Sequence, residues 1–270
     1  MRMTALGLGG AILSAVIALP AGLVGAQSPA GTGGTAPPDF SGVYYRAQQG
    51  RGGRGPAPTA QPAARSGGPP ARPTRSAPLS DGSQGRSPNA PRLTPEYLAK
   101  WQMMSKSRIA GSYEFDNNAK CLPPGVPAMM SMAYGMEVMQ TGDRITFFSE
   151  LNDALRRVYL DGRTPTQDIL EDPTYAGYST AHWEGETLVV DTVALHPDSF
   201  IEGFTPHSDA MTVHERIRFI GPGLLEDRIT VTDPKALTEP WETVHVYEKA
   251  AYPNDELREF ACAEGLTRER

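Results

Sequence analysis

With 270 residues, the chain carries 25 lysines and arginines against 31 aspartates and glutamates, giving a formal net charge of −6 and a pI near 5.4. An acidic balance of this kind argues against nucleic acid as the main partner, because phosphate binding wants a basic surface. The two cysteines form no C-x-x-C pair of the sort that holds zinc, and there is no phosphate-cradling glycine loop, no G-x-S-x-G and no H-E-x-x-H, so neither a metal nor a cofactor is expected.

The N-terminus reads as an export signal. Arg2 precedes an apolar run over residues 5–24, and Val24-Gly25-Ala26 supplies the small residues that a signal peptidase reads. Residues 1–26 are therefore expected to be a signal peptide cleaved after Ala26, which places the protein in the periplasm or outside the cell. An uncleaved anchor is the alternative. Glycines and Pro20 thin the run below the roughly 20 mostly apolar residues of a spanning helix, so no stable membrane span is expected.

Residues 27–92 are low-complexity, interrupted by Asp39-Phe40-Ser41-Gly42-Val43-Tyr44-Tyr45, which has the composition of a first strand. Beyond it, Arg46, Arg51, Arg54, Arg65, Arg72, Arg75 and Arg86 lie among Gly, Pro and Ser with almost no acid. An Arg-Gly segment can contact anionic polymers, although such a composition more commonly forms a solvated linker.

From residue 93 to 270 the composition is that of one ordinary globular domain. A helix is expected from Thr94, with Pro95 at its first position, Glu96 in its first turn, and Tyr97, Leu98, Trp101, Met104 and Ile109 at roughly helical spacing. Residues 122–127 form a rigid proline-rich loop, and Met129, Met130 and Met132 after it read as packing residues. Cys121 and Cys262 are expected to form one disulfide in an oxidising compartment, stabilising by on the order of 4 kcal/mol through loop closure. Two separate buried thiols are the alternative.

The remainder is written as hairpins. Residues 136–140 turn at Thr141-Gly142-Asp143 into 144–151, and Asn152-Asp153 turns into 154–160. Residues 178–183 then turn at Glu184-Gly185 into 187–192, and residues 211–220 turn at Gly221-Pro222-Gly223 into 224–232. Residues 241–248 close the set. With the segment near Phe40 this makes about nine short strands joined mostly by tight turns. The expected fold is mainly β: an antiparallel up-and-down β-barrel of the calycin or lipocalin kind with one N-terminal helix. A two-sheet β-sandwich is the alternative.

Because side chains alternate faces along a strand, each hairpin can be sorted into an inner and an outer face. Met211, Val213, Glu215, Ile217 and Phe219 form a face on which Glu215 is the single charge. Arg156 is likewise the single charge on the face of Ile145, Phe147, Ser149 and Leu151 with Ala154, Val158 and Leu160. An inward Arg156–Glu215 pair is thus the expected floor of a ligand site, or else a structural ion pair, since a lone buried carboxylate is costly. On the 178–192 hairpin, Tyr178, His182 and Asp191 share one face. Inside a barrel that grouping would suit proton transfer, whereas the alternative buries the Trp183 face and leaves the polar face in water. Asp161-Gly162-Arg163 and His207-Ser208-Asp209 sit in loops where a barrel mouth would lie. Asp161, Arg163 and His207 join the candidate site on that ground, with adjacent Ser–His–Asp side chains a weak triad.

Together these motifs resemble a family of exported bacterial proteins of unassigned activity. The resembling elements are Asp39-Phe40-Ser41-Gly42-Val43, Leu93-Thr94-Pro95-Glu96, Cys121-Leu122-Pro123-Pro124-Gly125 and Tyr159-Leu160-Asp161-Gly162-Arg163. They continue with Trp183-Glu184-Gly185, Thr187-Leu188-Val189-Val190-Asp191-Thr192, Ser208-Asp209, Glu215-Arg216, Asp233-Pro234, Pro240-Trp241, and Glu259 with Cys262. Glu215, Arg156 and Asp161 fit the family pattern. Tyr44 stands where the family favours Trp, and His182 where Arg is expected.

The expected function is an exported barrel that takes a small, largely apolar or aromatic molecule into its interior. The alternative is a cofactor-independent lyase, isomerase or hydrolase acting on such a molecule, with Glu215 or Asp161 as base, and a structural envelope module comes third. Nothing in the chain points to a particular oligomeric state.

Overall fold

Burial follows the alternation written into the strands. In Thr212–Gly221 the buried positions are Val213, Glu215 and Ile217, and in Ala154–Tyr159 they are Ala154, Arg156 and Val158. The computed structural model describes residues 36–47 and 89–262, within one unit that starts at Ala36. The expected signal peptide and residues 48–88 of the Arg-rich segment lie outside the described residues.

Nine strands form one closed barrel in sequence order: β1 Gly42–Arg46, β2 Met136–Gln140, β3 Arg144–Ser149, β4 Ala154–Tyr159, β5 Tyr178–Glu184, β6 Thr187–Val193, β7 Thr212–Gly221, β8 Leu224–Thr232 and β9 Trp241–Lys249. β1 and β9 close the ring, with Arg46 opposite Tyr247. A single closed sheet excludes the sandwich. Every seam is antiparallel except β4/β5, where Val158 and Tyr159 run parallel beside Ser179 and Thr180. A parallel pair needs a long crossover, and residues 160–177 supply it, carrying the short helix Gln167–Glu171 on the way.

Two hairpins are registered two residues away from expectation. Ser149 faces Ala154, so the β3/β4 loop is four residues long, with Asn152 and Asp153 at φ 54° and 47°. Asn152 Nδ2 donates to the Leu122 carbonyl at 2.8 Å, which anchors the longer loop. Glu184 faces Thr187, so the β5/β6 turn is Gly185-Glu186 rather than Glu184-Gly185, and Gly185 at φ 61° supplies the positive dihedral of a tight hairpin. A slip of two keeps every side chain on its expected face, whereas a slip of one would have inverted them.

Both ends of the barrel are covered. At the end holding the 141–143, 185–186 and 222–223 turns, Phe40 packs against Trp183 and Phe219 with ring centroids 5.3 and 5.0 Å apart. At the other end lie α1 (Pro95–Ile109), whose Tyr97, Leu98 and Trp101 pack on the core, and α2 (Ala128–Ser131), whose Met129 and Met130 are buried in it. Ile109, expected on the apolar stripe of α1, is 88% exposed, because the barrel surface is left behind after Met104. Residues 89–92, assigned from sequence to the low-complexity segment, join the fold: Trp241 Nε1 donates to the Asn89 carbonyl at 2.6 Å. Cys121 and Cys262 are disulfide-bonded with Cα atoms 5.7 Å apart. Among the described residues, no helix is long and apolar enough to cross a membrane.

Candidate functional site

The barrel interior is apolar except for one band of polar side chains. Arg156 enters from β4 with no solvent exposure. Its Nη1 donates to Glu215 Oε1 at 2.8 Å and its Nη2 to Glu215 Oε2, making a bidentate pair between two fully buried partners. The same guanidinium donates through Nε to Ser179 Oγ at 3.2 Å and through Nη2 to Thr192 Oγ1 at 2.9 Å, and those two hydroxyls lie 2.8 Å apart. Burial pulls the Arg156 pKa down, but the Glu215 carboxylate more than offsets it and holds the guanidinium charged.

Beside this pair stands a second, less satisfied group. Asp227 on β8 faces Ile217 on one side and His245 of β9 on the other, and all of them point inward with Leu225, Ile229 and Val231. Neither carboxyl oxygen of Asp227 has a donor facing it among the described residues, so its one hydrogen-bond contact, with the Glu215 carboxylate, needs a shared proton, and the Nε2 of His245 has no partner there. Such groups are rare in protein interiors and expensive to leave unmade. Burial, then the neighbouring Glu215 carboxylate, pushes the Asp227 carboxyl well above the usual carboxylate range, against the opposing pull of Arg156. Burial, then the Arg46 charge, lowers His245 to about 4. Asp227 therefore holds a proton more readily than an ordinary carboxyl, and His245 takes one up less readily than an ordinary imidazole. Tyr247, next along the same face, donates its hydroxyl to the Met130 carbonyl of α2 at 2.5 Å.

α2 also lines a cleft of about 280 Å³. Ala128, Ser131, Met132, Phe200, Phe204 and Glu202 line the cleft. Arg46, whose backbone faces Tyr247, donates through Nη1 to the Ser131 carbonyl at 2.6 Å and lies 4.0 Å from Glu202. Burial raises the Glu202 pKa. A second cleft of about 370 Å³ lies at the crossover between β4 and β5, lined by Asp168, Ile169, Asp172, Thr174, Tyr178 and Ala194 among others.

Of the residues singled out from sequence, Arg156 and Glu215 meet inside the barrel as expected. The others do not join them. Tyr178, His182 and Asp191 lie on the outer face. His182 is exposed beside Glu184 at 3.4 Å, and Asp191 is exposed, faces Thr180 and accepts from His214 Nδ1 at 2.8 Å. The inward Tyr–His–Asp grouping is therefore corrected: the apolar Trp183 face was the one to bury. Asp161 and Arg163 pair with each other in an exposed turn, where the Arg163 hydrogen bond lowers the Asp161 pKa and the guanidinium lies 4.0 Å from the centre of the Tyr159 ring.

His207 is buried in the cap. Its Nδ1–H donates to the Ser208 carbonyl at 2.7 Å, which leaves Nε2 to accept from Ser199 Oγ, also at 2.7 Å. Ser208 turns to Asp233, and Asp209 to Lys235, so the tripeptide's side chains point three ways and form no triad. Among the described residues, no group of three or more His, Cys, Asp or Glu side chains is placed to hold a metal ion.

Asp227, His245 and Tyr247 escaped the sequence reading. The test that found Glu215, one charge on an apolar face, also fits Leu225, Asp227, Ile229 and Val231. The β9 sequence gives no such signal, since Trp241, His245 and Tyr247 alternate with Val244 and Val246 and neither face is plainly apolar.

The pairings define the class: a closed nine-stranded β-barrel, here with a cluster of polar side chains buried inside it. No protein-family model matches the chain, and no curated protein matches it. Among solved structures, the fluorescent protein UnaG in its N57A mutant form is similar at 16% identity, over 51% of this chain and 88% of that one, with a TM-score of 0.28. So slight a likeness has no bearing on function, and the barrel class rests on the strand register itself.

Proposed function

We propose that this chain is an exported barrel that binds a small, largely apolar or aromatic molecule at its capped end, reaching from the α2 cleft to the polar side chains inside the barrel, which form the chamber of the site. One observation carries the proposal: inside the barrel the Nε2 of His245 has no partner and the Asp227 carboxyl has no donor, only the Glu215 carboxylate, beside it. A barrel that needed only to be stable would do as well with apolar residues at these positions, since replacing buried charges by packed hydrophobic side chains is often neutral or favourable. Export is supported by the disulfide, which belongs to oxidising compartments, and by the signal-like N-terminus. A thermal-shift screen of the purified chain against small aromatic and alicyclic molecules is the test. Saturable stabilisation by some of them supports the proposal, and a flat response across the screen sinks it.

A second reading is favoured by the inverted pair of proton groups. A carboxyl kept protonated beside a neutral imidazole could act as acid and base in a lyase or isomerase that needs no cofactor. Glu215 and Asp161, the bases expected from sequence, are engaged by Arg156 and Arg163. The enzymatic roles therefore pass to Asp227 and His245. Turnover of a screened ligand that Asp227→Asn abolishes while retaining binding would establish this reading, and unchanged ligand after prolonged incubation would exclude it.

A further inference from the structure

We infer that the chamber selects molecules whose polar end donates hydrogen bonds, an alcohol or an amine on a small apolar body, and rejects carboxylates. The inference rests on the proposed binding reading and adds the chemistry of the ligand to it.

The first support is the state of Arg156. A buried arginine in a barrel is the obvious receptor for a carboxylate, because its planar fork matches two oxygens. Here the fork is already filled. Glu215 takes Nη1 and Nη2, Ser179 takes Nε and Thr192 takes a further Nη2 proton, which is four of the five N–H donors a guanidinium owns. The charge is neutralised by the same Glu215. An incoming carboxylate would have to displace a bidentate partner that is covalently part of the barrel.

The second support is the tautomer of His245. Its Nδ1 lies 3.5 Å from the Tyr247 hydroxyl, whose own proton goes to the Met130 carbonyl. With that proton committed, the tyrosine oxygen can only accept from the imidazole, and the Met130 carbonyl, which also hydrogen-bonds the ring, can do nothing else. The proton therefore sits on Nδ1, and Nε2 presents a bare lone pair.

The third is Asp227 itself. When protonated, it shares its one proton with the Glu215 carboxylate, which leaves the other oxygen as an acceptor. Ionised, it offers more acceptors still. Asp227 and His245 are direct cross-strand partners on β8 and β9, which puts their Cβ atoms about 5 Å apart. Two acceptors at that spacing suit an O–H or N–H donor inserted between them. An ammonium group gains further, because the chamber holds two carboxyls against one guanidinium, and Asp227 can ionise to meet the added charge.

Four probes that share a benzene ring test this on the full chain: phenol, benzylamine, anisole and benzoate, each titrated calorimetrically at neutral pH. Phenol or benzylamine is expected to bind, with anisole about tenfold weaker for want of a donor and benzoate weakest. In Asp227→Leu and in His245→Phe the affinity for phenol should fall toward that of anisole, while anisole binding holds. Two variants guard against one failing to fold, and thermal melts report which are intact. Benzoate binding as tightly as phenol, or a preference for phenol over anisole that survives both substitutions, would overturn the inference and leave the binding reading standing. Absence of binding by all four would remove the binding reading as well.

Discussion

Arg156, Glu215 and Asp227 behave as one charge system, which sets what single substitutions should do. Removing one partner of a buried ion pair ordinarily costs about 3–5 kcal/mol, because the other charge is stranded. In this barrel Asp227 stands ready to replace Glu215. Glu215→Gln should let the Asp227 carboxyl ionise beside Arg156, limiting the loss to about 2 kcal/mol, while Glu215→Gln with Asp227→Asn should reach the full cost. Urea denaturation of both variants measures this, and equal losses would show that Asp227 does not compensate.

The pH dependence follows from the two perturbed groups. His245 is held near 4 against an ordinary 6.5, so the unfolded chain takes up its proton first as pH falls. Stability is full above about 6.5 and declines toward pH 4, by up to about 3 kcal/mol. His245→Phe should flatten that part of the profile. Asp227 works in the opposite direction. Its folded pKa lies above the ordinary 3.8, so its contribution is complete below that value and is lost as pH rises. Asp227→Asn should thus gain on the wild type in melting temperature as pH climbs from 4 to 7.

Glu215 and Arg156 were legible in the sequence because each breaks an apolar alternation alone. His245 was not, because β9 exposes apolar residues on both faces and only closure of the ring against β1 decides which one is inward.

At the scale of elements, hairpin turns and strand faces could be read from residues 136–160 and 178–192, while register could not. Register in both hairpins differs from expectation by two residues, and in the β3/β4 hairpin the longer loop is held by a group remote in sequence, the Leu122 carbonyl that accepts from Asn152. The parallel seam was also invisible, since nothing local to β4 or β5 states which way the chain returns. That seam depends on Gly177, at φ 64°, where an added Cβ would lie 2.7 Å from Thr192 Cγ2 and 2.8 Å from the Val193 carbonyl. Gly177→Ala should cost roughly 2–3 kcal/mol by strain and crowding. Because Thr192 is a ligand of Arg156, the same change should disturb the chamber. A thermal melt checks the stability, and an unchanged melting temperature would mean that the seam gives way easily.

Across the whole molecule, packing covers both ends of the barrel and one disulfide adds a covalent tie. The disulfide closes a loop of 141 residues that spans the chain from before β2 to beyond β9, which in the chain-entropy model stabilises by on the order of 4 kcal/mol. Cys121→Ser with Cys262→Ser should lower the unfolding free energy by about that amount without changing strand content by circular dichroism. An unaltered denaturation midpoint would show that the tie is dispensable.

The central claim is that the ligand reaches the polar side chains inside the barrel and does not stop in the α2 cleft. It is tested most directly by long-range nitrogen NMR of His245 during a phenol titration. The expected result is a saturable shift of the Nε2 resonance, as its lone pair gains a hydrogen bond, with Nδ1 unmoved. A fixed Nε2 signal, with perturbation confined to Phe200 and Phe204 of the α2 cleft, would contradict it.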